Sequence, residues 1–93
     1  MPAIDPQAAT LANVASGTAT TTVFAATPKL NGRTVFNDST AILYLKFGAN
    51  ASTTSYTVQI PAASYYEFPA PPYSGQVDGA WATANGNART TSW

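Results

Sequence analysis

The sequence predicts an all-β domain, a small single-domain sandwich or barrel of about seven short antiparallel strands with an extended N-terminal arm. Short runs rich in β-branched and aromatic residues recur along the chain, and several alternate apolar with polar positions. Gly, Pro, Asn and Asp separate these runs at intervals of about eight to twelve residues. No stretch has a convincing helical period. The pattern is compatible with a jelly roll, an immunoglobulin-like sandwich or a small barrel.

Length and composition favour a subunit that works within an assembly. The chain has 93 residues, and a single domain of this size buries only about 60–65% of its unfolded surface. It contains no Cys and no His, which excludes disulfides and the usual zinc, copper or haem ligands. Only 9% of the residues are charged and the formal net charge is zero. Such a surface is poorly protected against association, so we expect protein partners and a homo-oligomer.

The same numbers narrow the classes of partner. Nucleic-acid binding needs a basic patch to offset the phosphate charge, and this chain has as many acidic as basic residues. No apolar run approaches the roughly 18 residues that span a membrane. We therefore expect neither a nucleic-acid nor a membrane partner.

Residues 1–17 form the predicted arm, and residues 18–93 form the β-domain. The arm is rich in Ala, Pro and small polar residues, with isolated Ile4, Leu11 and Val14 and no periodicity. Its helix formers between residues 8 and 12 would support one short turn. Because the arm can bury little of its own surface, we expect a partner to hold it. Deletion of residues 2–16 should then leave a folded domain that no longer incorporates into its assembly.

The stretch 34–48 is predicted to organise the β-domain. Two strand-forming runs flank the turn residues 37–40, which indicates a hairpin. In the outgoing run, Leu43 and Leu45 lie on one face with Phe47, and Ile42 lies on the other with Tyr44. Both faces are apolar, so this strand should be central and covered on both sides.

Five further runs complete the predicted strands. Pro61 and Pro69 each end one of them, and Asn85-Gly86 is a strong two-residue turn signal. Gly79, inside a strand, predicts a bulge or close packing under an aromatic ring. In chain order the runs are 18–25, 56–60, 65–68, 76–82 and 87–93.

Catalytic patterns are missing from the sequence. The carboxylates Asp5, Asp38, Glu67 and Asp78 show no spacing that singles out a catalytic pair. There is no Ser-x-x-Lys, no Gly-x-Ser-x-Gly, no phosphate loop and no calcium-loop pattern. We expect no enzymatic activity, no cofactor and no metal site.

Aromatic residues provide the remaining candidate chemistry, as core, as a protein interface or as a sugar-stacking platform. We expect Tyr66, Phe68 and Trp81 to fill the core. Tyr73, in a proline-rich loop, and Trp93, at the chain end, are expected to touch a partner. The predicted partner interface therefore comprises Ile4, Leu11, Val14, Tyr73 and Trp93.

Five blocks of the chain carry a family resemblance. They are Val-Phe-Asn-Asp-Ser-Thr-Ala-Ile-Leu-Tyr-Leu-Lys-Phe-Gly (35–48), Ser-Tyr-Thr-Val (55–58), Tyr-Tyr-Glu-Phe-Pro (65–69), Tyr-Ser-Gly-Gln-Val-Asp-Gly-Ala-Trp (73–81) and Ala-Asn-Gly-Asn-Ala (84–88). In this order they resemble a group of small virion structural proteins of tailed bacteriophages. The arm lies outside the match, and the ending 91–93 departs from the pattern.

The resemblance implies a virion component assembled in the bacterial cytoplasm, in the first place a head decoration or cement protein. Such a subunit would bind the major capsid protein or other virion proteins on the outer capsid lattice and bridge coat subunits. A trimer on local three-fold axes is a common arrangement in that class. The alternatives are a head–tail connector, a tail or fibre-base subunit, or a module that binds host glycans through the aromatics between Tyr65 and Tyr73.

Overall fold

The computed structural model describes residues 9–28 and 30–93, and these form eight β-strands. The all-β class predicted from the sequence is confirmed. The strands are β1 Thr10–Ala15, β2 Thr21–Phe24, β3 Arg33–Asp38, β4 Leu43–Phe47, β5 Val58–Ile60, β6 Tyr65–Glu67, β7 Val77–Trp81 and β8 Asn87–Ser92.

The eight strands form two antiparallel sheets of four. The first sheet has the order β1-β8-β3-β6, and the second has the order β2-β7-β4-β5. The chain passes from one sheet to the other at every connection except that between β4 and β5. This interleaved order is the double Greek key of a jelly roll, so the topology selects one of the three architectures that the sequence left open.

The predicted hairpin at 34–48 is wrong. β3 belongs to the first sheet and β4 to the second, so the turn residues carry the chain across the sandwich. The physical reason is that Val35 and Leu43 are both fully buried and enter the same core from opposite sheets. A hairpin would have placed them side by side within one sheet. The turn at Gly86, with φ +69°, likewise joins strands of different sheets.

β4 is a central strand, as predicted, because β7 and β5 flank it. Its inner side chains Leu43 and Leu45 are fully buried. The expectation of full cover on both sides is wrong, since Ile42 is exposed and Tyr44 is half-buried on the outer side. The inner face is buried because the first sheet packs against it.

β1 adds one strand to the predicted seven, and it lies within the stretch 1–17. Residues 10–15 are extended and pair with β8 from end to end, so no helical turn forms at residues 10–12. The free energy of ladder pairing outweighs a weak helical propensity here. Residues 1–8, including Ile4, lie outside the described residues.

The core lies between the sheets. As the sequence predicts, Phe68 and Trp81 are buried, and Tyr66 packs against the same cluster. Gly79 is packed as tightly as expected, because a Cβ at this position would come within 2.9 Å of side-chain atoms of Leu43 and Val23. The expectation of an aromatic ring over Gly79 is wrong, because these close neighbours are aliphatic.

Candidate docking surface

The outer side of the second sheet is covered by the chain's own loops. The Asp78 carboxylate on β7 accepts a hydrogen bond from the Thr20 hydroxyl at 2.8 Å and one from the Asn50 backbone N–H at 2.9 Å. The Thr20 hydroxyl also accepts the backbone N–H of Ala51 at 3.0 Å. These bonds fasten the segment before β2 and the loop between β4 and β5 onto the sheet.

The rest of that loop continues across the same side. Lys46 Nζ donates to the Ser55 hydroxyl at 2.8 Å, and the Tyr56 ring packs edge-on against Tyr44 with centroids 5.1 Å apart. Ala80 lies between these groups and is fully buried. The loops thus cover much of the outer side of the second sheet, while Ile42 and Tyr56 remain exposed there.

The Asp78 carboxylate is the charged group that binds the covering loops to the second sheet. Burial by itself raises the pKa of its carboxyl, but hydrogen bonds from Gln76, the Asn50 N–H, Thr20 and Thr22 favour the charged form. Their sum leaves the pKa of Asp78 below its ordinary value. The carboxylate therefore acts as a fastener for the loops.

The outer side of the first sheet has a different character. Side chains alternate in direction along β3 and β8. Val35 and Ala88 point inward to the core, and the residues next to them on each strand point outward. The register aligns Asn13, Arg89, Phe36 and Tyr65 in one row across all four strands. We call this side the open face, and it comprises Leu11, Asn13, Thr34, Phe36, Asp38, Tyr65, Glu67, Arg89 and Thr91.

Large apolar side chains remain exposed on the open face. Leu11 is 72% exposed, Tyr65 is 55% exposed and Phe36 is 36% exposed. Phe36 and Tyr65 occupy directly opposite positions on β3 and β6. Adjacent exposed rings on a sheet are typical of a surface that another molecule covers.

The charges on the open face are matched locally. Arg89 Nε lies 2.7 Å from the Asp38 carboxylate, and Arg89 Nη1 donates to the Asn13 side-chain oxygen at 3.3 Å. The Tyr65 hydroxyl donates to Glu67 at 3.0 Å, and this bond, with burial and the Glu67 charge, raises the pKa of Tyr65. Because Arg89 is paired with Asp38, the open face has no unpaired positive charge among these residues. The open face is therefore better suited to bind a protein than the phosphates of a nucleic acid.

The five residues predicted as an interface are only partly brought together. Leu11 lies on the open face, and Trp93 borders it, its ring against Gly32, where a Cβ would come within 2.5 Å. Val14 points inward and packs against the core. Tyr73 lies elsewhere, and Ile4 is outside the described residues. Sequence reasoning missed Phe36, although the alternation Thr34, Val35, Phe36 could have indicated it.

Tyr73 is tied into the fold by an aromatic stack and by an arginine. Its ring lies parallel to that of Phe47, with centroids 5.0 Å apart. Its backbone carbonyl and that of Gly75 each accept a bond of 2.8 Å from buried Arg33, which also binds the Ala25 carbonyl at 2.7 Å. Burial lowers the pKa of Arg33. The three carbonyls explain why a cation is tolerated at this end of the core.

A cavity of about 300 Å³ lies between the edge strands β1 and β2. Its lining is a mixture of threonine and apolar side chains, with Arg33 among them. The Arg33 Nε has no hydrogen-bond partner within the described residues, although the guanidinium packs over the Phe24 ring, 4.7 Å from its centroid.

Each side-chain carboxylate in the described residues has a hydrogen-bond or ion-pair partner close by. Asp38 pairs with Arg89, Glu67 with Tyr65, and Asp78 with the loop donors. In residues 9–28 and 30–93, no group of three or more Asp, Glu, His or Cys could hold a metal ion. That part of the chain also has no helix long and apolar enough to cross a membrane.

Comparison of the chain with protein-family models, with curated proteins and with solved structures finds no match. The functional assignment therefore depends on the residues and on their geometry.

Proposed function

We propose that this protein is a virion structural protein of a tailed bacteriophage, a capsid decoration or cement subunit that binds the outer capsid lattice through its open face. In this role it is passive. It adds buried area at the junctions of coat subunits, and many copies on one lattice add avidity to individually modest contacts.

One observation carries the proposal, namely the difference between the two outer surfaces of the sandwich. The chain's own loops cover much of the second sheet and leave Ile42 and Tyr56 exposed at separate places, whereas the first sheet exposes Leu11, Phe36 and Tyr65 among locally matched charges. A small domain with one side largely covered by its own loops and the other side bearing a row of exposed apolar side chains is suited to lie on a larger protein surface.

Composition, fold and resemblance agree with this role. A chain with only 9% charged residues and zero net charge is poorly protected against association, which is tolerable for a subunit that remains assembled. The jelly roll occurs in viral capsid proteins, and it also occurs in lectins and cupins, so the fold raises the expectation without deciding the role. The resemblance of the five sequence blocks to phage virion proteins supports the virion role.

Electron cryo-microscopy of intact particles tests the proposal directly. We expect many copies over the capsid faces, with the open face against the coat protein. A ring of few copies at one vertex would instead identify a connector or tail subunit. Absence from purified particles would contradict a virion role.

The contribution of the arm has to be tested with a shorter deletion than the sequence suggested. Removal of residues 2–16 would delete β1, so loss of incorporation could simply reflect a damaged sheet. Deletion of residues 2–8 leaves every described strand intact. We expect this variant to fold and to occupy particles less fully, and full occupancy would show that residues 2–8 are dispensable.

A glycan-binding module is the second candidate, and the neighbouring exposed rings of Phe36 and Tyr65 favour it. The rings of Tyr73 and Phe47 are stacked on each other, which makes them a poorer platform. A glycan module should bind host surface saccharides as an isolated protein, whereas a cement protein should bind capsids. Titration of both ligands with the same preparation distinguishes the two functions.

A further inference from the structure

β1 is an edge strand with one unpaired side. Among residues 9–28 and 30–93 it pairs only with β8, and Ser16 N–H donates to the Gly86 carbonyl at the end of the same ladder. Hydrogen-bonded pairs alternate along an antiparallel ladder, so the even-numbered residues of β1 bond to β8. The N–H and C=O groups of Leu11, Asn13 and Ala15 therefore point to the free side.

The other edge strands are protected in ways that β1 is not. β5 and β6 have only three residues each, and β2 is interrupted by a bulge between Thr22 and Phe24. β1 has six residues in unbroken register and contains neither a proline nor a charged side chain. Natural sheets use short strands, bulges, prolines and charges to prevent edge pairing, so a regular uncharged edge is an exposed pairing site.

We propose that this edge binds a second copy of the same chain, with β1 antiparallel to β1 about a two-fold axis at Asn13. Asn13 then faces Asn13 of the second copy, and Leu11 faces Ala15 in both directions. Each of these opposed residues has its N–H and C=O on the free side, so every pair can exchange two backbone hydrogen bonds. The two four-stranded sheets become one continuous sheet.

Side chains along β1 fit this self-pairing. The absence of charge means that the two-fold axis brings no like charges together. Leu11, which is 72% exposed, gains a small neighbour in Ala15 and loses contact with water. An antiparallel strand pair is isologous and closes at two copies, so it produces a dimer and no fibre.

Dimerisation in solution does not depend on the capsid role. A six-residue strand pair is smaller than the roughly 1,600 Å² of a standard stable interface, so we expect a dissociation constant on the order of micromolar. Sedimentation velocity over a range of concentrations should show a monomer–dimer equilibrium. A chain that stays monomeric at millimolar concentration, or that forms trimers, would overturn the inference.

Two substitutions separate edge pairing from other contacts. Asn13→Pro removes an N–H that points to the free side and leaves the β8 bonds in place, and Leu11→Lys places a like charge on each copy. Both variants should be monomeric with an unchanged circular dichroism spectrum. Thr83→Lys, in an exposed loop, adds the same charge elsewhere and should still dimerise. Persistence of the dimer in Asn13→Pro would exclude β1 as the interface.

Cysteine cross-linking tests the register, and the chain has no native Cys to interfere. Opposed hydrogen-bonded residues lie about 5.5 Å apart at Cα, within the range of a disulfide. Under mild oxidation Asn13→Cys should become a covalent dimer. Leu11→Cys is also exposed but lies about 13 Å from its own counterpart, four residues along the strand, and should stay monomeric. Equal cross-linking of both variants would contradict the proposed two-fold axis.

Discussion

The side-chain oxygen of Asn37 accepts a hydrogen bond of 3.2 Å from the indole nitrogen of Trp81, and this bond joins the two sheets through the core. The Asn37 amide nitrogen donates to three carbonyls, those of Ala41, Ile60 and Pro61, at 2.7 to 3.1 Å. A single buried amide thus satisfies the backbone where the chain crosses from β3 to β4 and where β5 ends.

Replacement of this amide should therefore be costly. Asn37→Leu leaves carbonyls and an indole N–H buried without partners, and we expect it to lower the free energy of unfolding by about 3 kcal/mol. Asn87→Leu makes the same chemical change on the outer side of β8 and should cost less than about 0.5 kcal/mol. Denaturant unfolding of both variants measures the difference. Equal effects would mean that the Asn37 network adds nothing to stability.

Asp78 predicts an acid-sensitive component of stability. Its pKa is lowered in the folded state, so its contribution is fully present above the unfolded value of about 3.9 and is lost as the pH falls through the folded pKa. Asp78→Asn removes that component. We expect the stability gap between the two proteins to be largest near neutral pH and to close below about pH 4.

Unfolding free energies across this pH range provide the measurement, with Asp38→Asn as the control. Asp38 forms an exposed ion pair with Arg89, so its replacement should cost less than about 1 kcal/mol. If the gap between wild type and Asp78→Asn stayed constant from pH 7 to pH 3, the charged form would have no special stabilisation.

The close packing around Gly79 predicts that even a methyl group at this position destabilises the fold. A methyl group at this position would lie 2.9 Å from both Leu43 Cδ1 and Val23 Cγ2, so Gly79→Ala should destabilise the fold by about 1–3 kcal/mol through overpacking. At Gly17 the nearest atom to an added Cβ is the Thr21 hydroxyl at 3.4 Å, and Gly17→Ala should be nearly neutral. Thermal unfolding compares the two, and a stable Gly79→Ala would indicate a looser core.

The open face predicts a separation of binding from stability. Phe36→Ser combined with Tyr65→Ser removes two exposed rings, so the fold should persist while capsid occupancy falls at least tenfold. Tyr56→Ser removes a partly exposed ring from the outer side of the second sheet. This variant should keep normal capsid occupancy. Particle binding by sedimentation and gel densitometry measures both. Normal occupancy of the double variant would place the capsid contact elsewhere.

The sequence predicts part of the open face but not how its residues come together. Phe36 and Tyr65 each follow a two-residue alternation, so their outward direction could be predicted from their neighbours. Their adjacency could not, because it depends on the pairing of β3 with β6. Val14 looked like an isolated apolar residue of an arm, but pairing of β1 with β8 turns it toward the core.

The sequence by itself determined the all-β class, the approximate positions of most strands, the turn at Gly86 and the core roles of Phe68 and Trp81. These follow from propensities and periodicities that extend over a few neighbouring residues. The tertiary structure alone decided which strands share a sheet, that 34–48 crosses the sandwich, and which outer side remains open. Those features depend on contacts between residues far apart in the sequence, such as Asn37 with Trp81 and Thr10 with Ser92. The free energy of such contacts cannot be inferred from a pattern of neighbouring residues.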